Sequence, residues 1–591
     1  MIRTIELGAD ALSRLGSSAG VIDGPIAVGQ LSRRMLAIHA VLTAVEEEHT
    51  ELFQTARLDE SRRVLAQAQR ADRAGANAML RLPTVGAWAM LCGYRLSSRP
   101  AADEIADDIG HFGAVAAVAA LRAGLPFEVT VRVRADGTLM LPALGLARLG
   151  TGPTWIRARS TDGLGLELLG PEQLGHPIRP GNPETDRWSP LRQLRSTADG
   201  LTIALYLDDI DPYRGRHLPP VADRLAADEV SHWGRQLDEA WAAIVRRQPD
   251  EARALSAGMA ALVPLKHDPR APSVSATAKH AVGAMGVTRP HTPDALAEAL
   301  VHEHRHSLLW AILDVVQLVD DESPALLYAP WRSDPRPALG LLHGAFAFLG
   351  LLRYWAAGST PGGVDSQRSA AFELALWRQG VRTAIDQLTE PALLTPQGRA
   401  LIEGMRSSLA EMETRAVPDD LQTMAEHTAM DLRITWRIGN CRPTQDSVKD
   451  CCAAWRAGLR RPELPPGTLI ADGARFAGTS RLALLRRHIA GAGLVAATNP
   501  DGVATADLRL LTGDWSQAAE LYATALATGQ ESTEAWAGLV LAWHALGRVG
   551  AEFLTVHPEH LPAVYACVAE CSGTTPDVIE LTKWFGSGSE R

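Results

Sequence analysis

The residues best placed to do chemistry in this 591-residue chain are His302-Glu303-His304-Arg305-His306. Two imidazoles four residues apart on an α-helix lie one turn from each other on a single face. There they can chelate one divalent cation, and neutral nitrogen donors suit Zn(II) or Fe(II). Glu303 sits one residue further round the helix, within reach of a metal-bound water. His304 projects from the other side and is expected at the solvated surface. The surrounding run, HTPDALAEALVHEHRHSLLWAILDVV (291–316), supplies the helix itself. Thr292 is a natural N-cap, Pro293 suits the first helical position and Asp294 complements the positive helix end. Leu296, Leu300, His302, His306, Leu309 and Leu313 fall on one stripe that is expected to be buried.

The pair of histidines fixes two ligands and leaves the reaction open. A zinc metallopeptidase would use Glu303 as general base on a zinc-bound water. The extended form HExxHxxGxxH fails, because Leu309 stands in the glycine's place and Ile312 in that of the third histidine. A downstream carboxylate such as Glu373 could still complete a peptidase site. The segment PWRSDPRPALGLLHGAFAFLGLLRYW (330–355) points elsewhere. His343 opens an apolar helical stretch and offers a third imidazole, which would leave open metal positions opposite three protein ligands. Arg332 and Arg336 precede it in a Pro-bounded loop. Paired guanidiniums suit a dicarboxylate, because Arg grips carboxylates bidentately and stays charged when desolvated. The alternative is that both arginines pair with Asp334 and nearby acids on the surface.

The rest of the chain must position these groups. Its length suggests about four domains' worth of material. With 46% apolar and 21% charged residues it reads as globular, and 68 acidic against 58 basic residues, spread along the chain, argue against a nucleic-acid partner. The start carries no secretory signal pattern, and the longest apolar stretches, Gly113–Leu121 and Leu339–Leu352, fall short of a membrane span. Six cysteines without a Cys-x-x-Cys pair read as buried thiols, so a soluble cytoplasmic protein is expected.

An α+β fold, mainly helical, is expected from the patterning. Residues 1–124 read as helical, with apolar spacing over Gln30–Val45 and Leu58–Met79. Residues 125–263 read as an antiparallel β-rich region with a helix after it. Three hairpins are expected there: Phe127–Val133 with Leu139–Leu141, Trp155–Arg159 with Leu164–Leu169, and Leu191–Arg195 with Leu201–Leu207. The acidic run Asp208-Asp209-Ile210-Asp211 could hold a hard cation, but such a cluster more often ends a strand and caps the next helix. Residues 264–400 form the expected metal-binding core. Residues 401–591 read as helical, with a Pro-rich break at Arg461–Pro466 and a tetratricopeptide-like helix pair at 513–547, carried by Trp515, Ala519, Tyr522, Ala525, Trp536 and Gly538. One such pair makes a helical appendage rather than a solenoid.

The HExxH helix TPDALAEALVHE, with WRSDPRPALGLLHGAFAF after it, resembles the bacterial HExxH-motif peptide-modification family. The resemblance extends to Trp188-Ser-Pro-Leu-Arg192, to Leu207–Arg214 and to Ser275–Gly283, and covers roughly 185–355. It implies an iron(II)/2-oxoglutarate-dependent oxygenase that hydroxylates a β-carbon in a ribosomally made precursor peptide. It also implies His302, His306 and His343 as metal ligands, with 2-oxoglutarate and O₂ as cosubstrates. Ser275 and Thr277 could then hydrogen-bond the cosubstrate's distal carboxylate beside Arg336 or Arg332. Glu303 would itself ligate the metal, or orient a ligand from behind.

Overall fold

The computed structural model describes residues 6–150, 152–170, 177–215, 218–266, 273–320, 323–358, 363–470, 479–494 and 502–586. Two compact units divide the chain between Gln317 and Leu318. Helices predominate and the sheets are small, as expected of a mainly helical α+β chain. The division passes through the span 264–400 that was expected to be one core, while the boundaries at 124 and 263 fall inside the first unit. The physical reason lies in a sheet that ties these segments together.

The first unit opens with the helices Gly24–Glu48, Leu58–Ala71, Arg73–Leu80, Pro83–Ser97 and Ala102–Arg122. The apolar spacing over Leu58–Met79 is interrupted at Asp72, whose carboxylate accepts the Gly75 N–H at 2.9 Å and starts a new helix. Helix Ala102–Arg122 is buried on all sides from Asp108 to Leu121. Strand Phe127–Val133 packs so closely on it that a Cβ on Gly113 would come within 2.0 Å of the Thr130 carbonyl oxygen.

Two of the expected hairpins form: Thr154–Ser160 with Glu167–Leu169, and Arg192–Ala198 with Leu201–Leu207. The first does not. Phe127–Val133 pairs along its whole length with Thr154–Ser160, while Thr138–Leu141 joins Gly145–Arg148 in another sheet. Turn chemistry at Ala135–Thr138 reverses the chain, but the seven-residue partner offers Phe127–Val133 a longer ladder than the four-residue one.

The third sheet is mixed rather than antiparallel. Its order is Ser275–Ala276, Ala284–Val287, Ala261–Pro264, Leu201–Leu207, Arg192–Ala198, and its three middle strands run parallel. Two of them, Ala261–Pro264 and Ala284–Val287, are buried at every position, as strands covered on both faces must be. Helices Ala227–Arg247 and Pro249–Gly258 make the crossover between parallel strands. Helix Pro293–Leu313 then packs on both of them and on the sheet.

The acidic run closes strand Leu201–Leu207 and ends it. Asp208 accepts the Asp211 N–H at 2.9 Å, Asp211 accepts the Tyr213 N–H at 2.8 Å, and Asp209 accepts Leu225 N–H while pairing with Arg192 and Arg224. All three carboxylates are buried. Burial and the Asp211 charge push Asp208 up to about 7, and burial pushes Asp211 up to about 6.

The second unit contains Ala338–Ala356, Gly363–Leu388, Pro396–Glu413, Asp419–Asn440 and a series of shorter helices to Gly586. Ala338–Ala356 is long and apolar enough to cross a membrane, yet 78% of its apolar window is buried in the protein, as in a core helix. Over 513–547 the chain forms two helices, Trp515–Ala527 and Thr533–Ala545, with Tyr522 packed where Gly538 has no side chain. Arg481, 3% exposed, anchors this end through Asp431 and Asp507 at 2.6 and 2.9 Å.

Candidate metal centre

The helix carrying the histidines starts as its sequence dictates. Thr292 Oγ1 accepts the Ala295 N–H at 3.2 Å, and the helix runs from Pro293 to Leu313. Within it the Nε2 atoms of His302 and His306 lie 3.1 Å apart, with the rings edge-on at 83°. Two ligands about 2.1 Å from one ion are about 3.0 Å apart in cis octahedral positions and about 3.4 Å apart in a tetrahedron. The pair therefore fits the edge of an octahedral ion as it stands and would open slightly for zinc. Burial lowers the pKa of His302, and burial together with the neighbouring His302 lowers that of His306 to about 4. Both imidazoles are neutral at pH 7, the form that ligates.

Glu303 is 2% exposed and its carboxylate is held at both oxygens. Ser275 Oγ donates to Oε1 at 2.7 Å and Thr277 Oγ1 donates to Oε2 at 2.5 Å. The two hydroxyls are two residues apart on extended backbone, so they share a face. The segment beyond them is fixed in turn: Arg34 donates to the Val282 carbonyl at 3.1 Å, and the Gly283 N–H donates to Ser307 Oγ at 3.3 Å. In this arrangement Ser275 and Thr277 both serve Glu303. Each hydroxyl has one proton, and once that proton is directed at Glu303 only acceptor capacity remains, which a cosubstrate carboxylate cannot use.

The expected placement of His304 is also overturned. It is fully buried, and its Nδ1 lies 2.7 Å from Glu251 Oε1. Arg305, equally buried, lies 3.8 Å from Glu251 Oε2 and donates to the Ser18 carbonyl at 3.0 Å. The helix is not amphipathic in the ordinary sense. Packing covers it nearly all round, and His302 and His306 mark its more open side, flanked by the buried residues 303–305 and 307. Helical periodicity puts a histidine opposite the metal pair in solvent only because it says nothing of a second covering layer.

The remaining expected residues belong to the second unit. His343 is buried in helix Ala338–Ala356, 8% exposed. The loop before it folds back over the helix's first turns. A Cβ on Gly344 would overlap the Trp331 indole at 2.2 Å, and one on Gly340 would meet Arg336 Nε at 2.9 Å. Trp331 stacks on Phe348 at 4.8 Å, so the spacing of tryptophan, arginine and two glycines in WRSDPRPALGLLHG is an architectural match. Arg332 and Arg336 share Asp334, at 2.9 and 3.1 Å, which is the surface pairing named as the alternative. Two guanidiniums face one carboxylate there, leaving a net positive charge at the start of the helix. Glu373, considered as a peptidase ligand, is engaged by Arg486 at 2.7 and 2.8 Å and by the Trp377 N–H.

Sequence reasoning missed Glu251 as the partner of His304, and no local signal marks it. It did find both hydroxyls. Their i, i+2 spacing could have suggested a shared target within the protein. No family model and no curated protein matches this chain in sequence.

Proposed function

We propose that this chain is an iron(II)/2-oxoglutarate-dependent oxygenase that hydroxylates a β-carbon in a ribosomally made precursor peptide, in a cytoplasmic setting. The observation that carries the reading is the convergence of two neutral imidazoles at cis-ligand spacing beside a carboxylate already held by two hydroxyl donors. His302 and His306 hold the metal, and the family resemblance supplies His343 as third ligand. Iron with 2-oxoglutarate and O₂ supplies the oxidising equivalent that puts a hydroxyl on carbon. Glu303 serves as a fixed negative charge beside the pair. Arg336 and Arg332, with their net positive charge, are suited to the cosubstrate's distal carboxylate. A hollow of about 360 Å³, lined by Met90, Leu91, Tyr94, Ala278, His280 and Ala281, offers apolar room for a peptide side chain in the first unit.

A zinc peptidase reading has the HExxH spacing in its favour. Against it stand Leu309 and Ile312 in the motif, the engagement of Glu373, and the two donors on Glu303. Those donors fix the carboxylate in place toward Ser275 and Thr277. The deciding experiment mixes anaerobic protein with Fe(II), 2-oxoglutarate and candidate precursor, admits O₂, and reads peptide mass. A gain of one oxygen with stoichiometric succinate is expected, retained in Glu303→Gln and lost in His343→Ala. A cleaved peptide, with cleavage lost in Glu303→Gln, would establish the peptidase instead.

A further inference from the structure

Away from the histidine helix, three cysteines come together in the second unit. Cys452 lies on helix Gln445–Arg456, and Cys567 and Cys571 lie one turn apart on helix His560–Ser572. Their sulfurs are all within 4.8 Å of one another. This also corrects the expectation of six buried thiols, since Cys567 is half-buried and Cys571 exposed. All six cysteines are free.

Reactive and exchange cysteines require a thiolate at ambient pH, supplied by a cation, a helix N-terminus or a neighbouring base. This cluster has the opposite surroundings. Cys571 sits in the last turn of its helix, where the dipole disfavours negative charge. Cys452 is buried and Cys567 half-buried, with the third sulfur beside them. Around an ion with metal–sulfur bonds of about 2.3 Å, sulfurs sit about 3.8–4.0 Å apart, which small side-chain rotations reach from the observed spacing.

We propose that Cys452, Cys567 and Cys571 form a three-thiolate site for one soft d¹⁰ metal ion, Cu(I) or Zn(II), separate from the histidine pair. Binding replaces three S–H protons by three metal–sulfur bonds, releases three protons and changes no oxidation state. All-sulfur donors select these ions over Fe(II), Mg(II) or Mn(II). Cu(I) is satisfied by three sulfurs, whereas Zn(II) takes a fourth ligand from solvent at the exposed Cys571 edge. The ion joins the helix after Thr444 to the helix before Gly573 and leaves one coordination position facing outward.

The test uses the full chain, reduced anaerobically, stripped of metal and freed of reductant. Cd(II) is added and the ultraviolet thiolate-to-cadmium charge-transfer band is monitored, a signature that imidazole ligands cannot give. One equivalent should saturate the band. Cys571→Ser, at an exposed position that leaves the core intact, should weaken binding by more than roughly tenfold, since even loss of an outer partner of a metal ligand costs that much. The band should persist in a His302→Ala/His306→Ala double variant, which separates this site from the proposed iron centre. Displacement of Cd(II) by Cu(I) below one equivalent assigns copper, and displacement by Zn(II) alone assigns zinc. Absence of the band while six thiols titrate, or a band unchanged in Cys571→Ser, overturns the proposal, as does a disulfide among the three that forms in preference to metal uptake.

Discussion

The two sides of helix Pro293–Leu313 carry the same residue types to different ends. On the open side, His302 and His306 turn their Nε2 atoms toward each other with Glu303 alongside. On the covered side, His304 and Arg305 meet Glu251 with no exposure at all. One histidine of HEHRH is cemented into the fold while the other two are only partly covered. Imidazole chemistry is thus set by which layer covers it, and a motif in a sequence carries no record of that layer.

The comparison breaks most clearly if function and stability fail together. His306→Ala should weaken iron binding by at least about 100-fold and abolish turnover, while the denaturation midpoint moves less than for a residue of the covered side, because the side chain removed is only partly covered. Isothermal titration with anaerobic Fe(II) and a urea melt read both sides of that statement. Glu251→Ala should do the reverse. It removes one partner of a buried His304–Glu251–Arg305 cluster, at a cost of about 3–5 kcal/mol, and the protein that remains folded should bind iron normally.

A smaller effect would sharpen the picture of Glu303. Ser275→Ala with Thr277→Val should leave its buried carboxylate without donors, destabilising the first unit by about 1–3 kcal/mol and weakening iron about tenfold. If iron affinity is untouched, Glu303 plays no part in orienting the pair.

A last test concerns the carboxylates at the end of strand Leu201–Leu207, where Asp208 and Asp211 are buried together. Asp208 faces Asp211 and Arg214, and Asp211 faces Thr84, Arg214 and Arg134. Their folded pKa values, about 7 and about 6, lie above the ordinary carboxylate value, so the native state holds protons that the unfolded chain releases. This pair therefore stabilises below about pH 4 and loses that contribution as pH rises through 7, with a slope near 1.4 kcal/mol per pH unit for each proton. Asp208→Asn keeps the acceptor for the Asp211 N–H and should flatten the pH 5–8 stability profile. An unchanged profile would mean that the carboxyl is ionised throughout.

Much of the helix and its imidazole pair was legible in the chain because the signals are local. Thr292 and Pro293 set the start, and four-residue spacing sets the pair. The hairpins 154–169 and 192–207 were likewise written in alternation and turns. What escaped depended on distant partners. Phe127–Val133 took a longer strand than the one next to it. Glu251 meets a histidine 53 positions away. Cys452 is brought to Cys567 and Cys571 by helix packing alone. The hydroxyls of Ser275 and Thr277 were found, but their target could be read only from the side on which the strand approaches Glu303.

The closeness of the first unit's cluster in sequence has a consequence during synthesis. Ser275, Thr277, His302, Glu303 and His306 all lie within positions 275–306. At about 5–20 residues per second, with N-terminal domains folding first, the ribosome needs on the order of 2–7 s after His306 to reach His343. The cluster is therefore complete in the chain before the helix that carries His343 has been made, and the first unit can fold around it without waiting for the second.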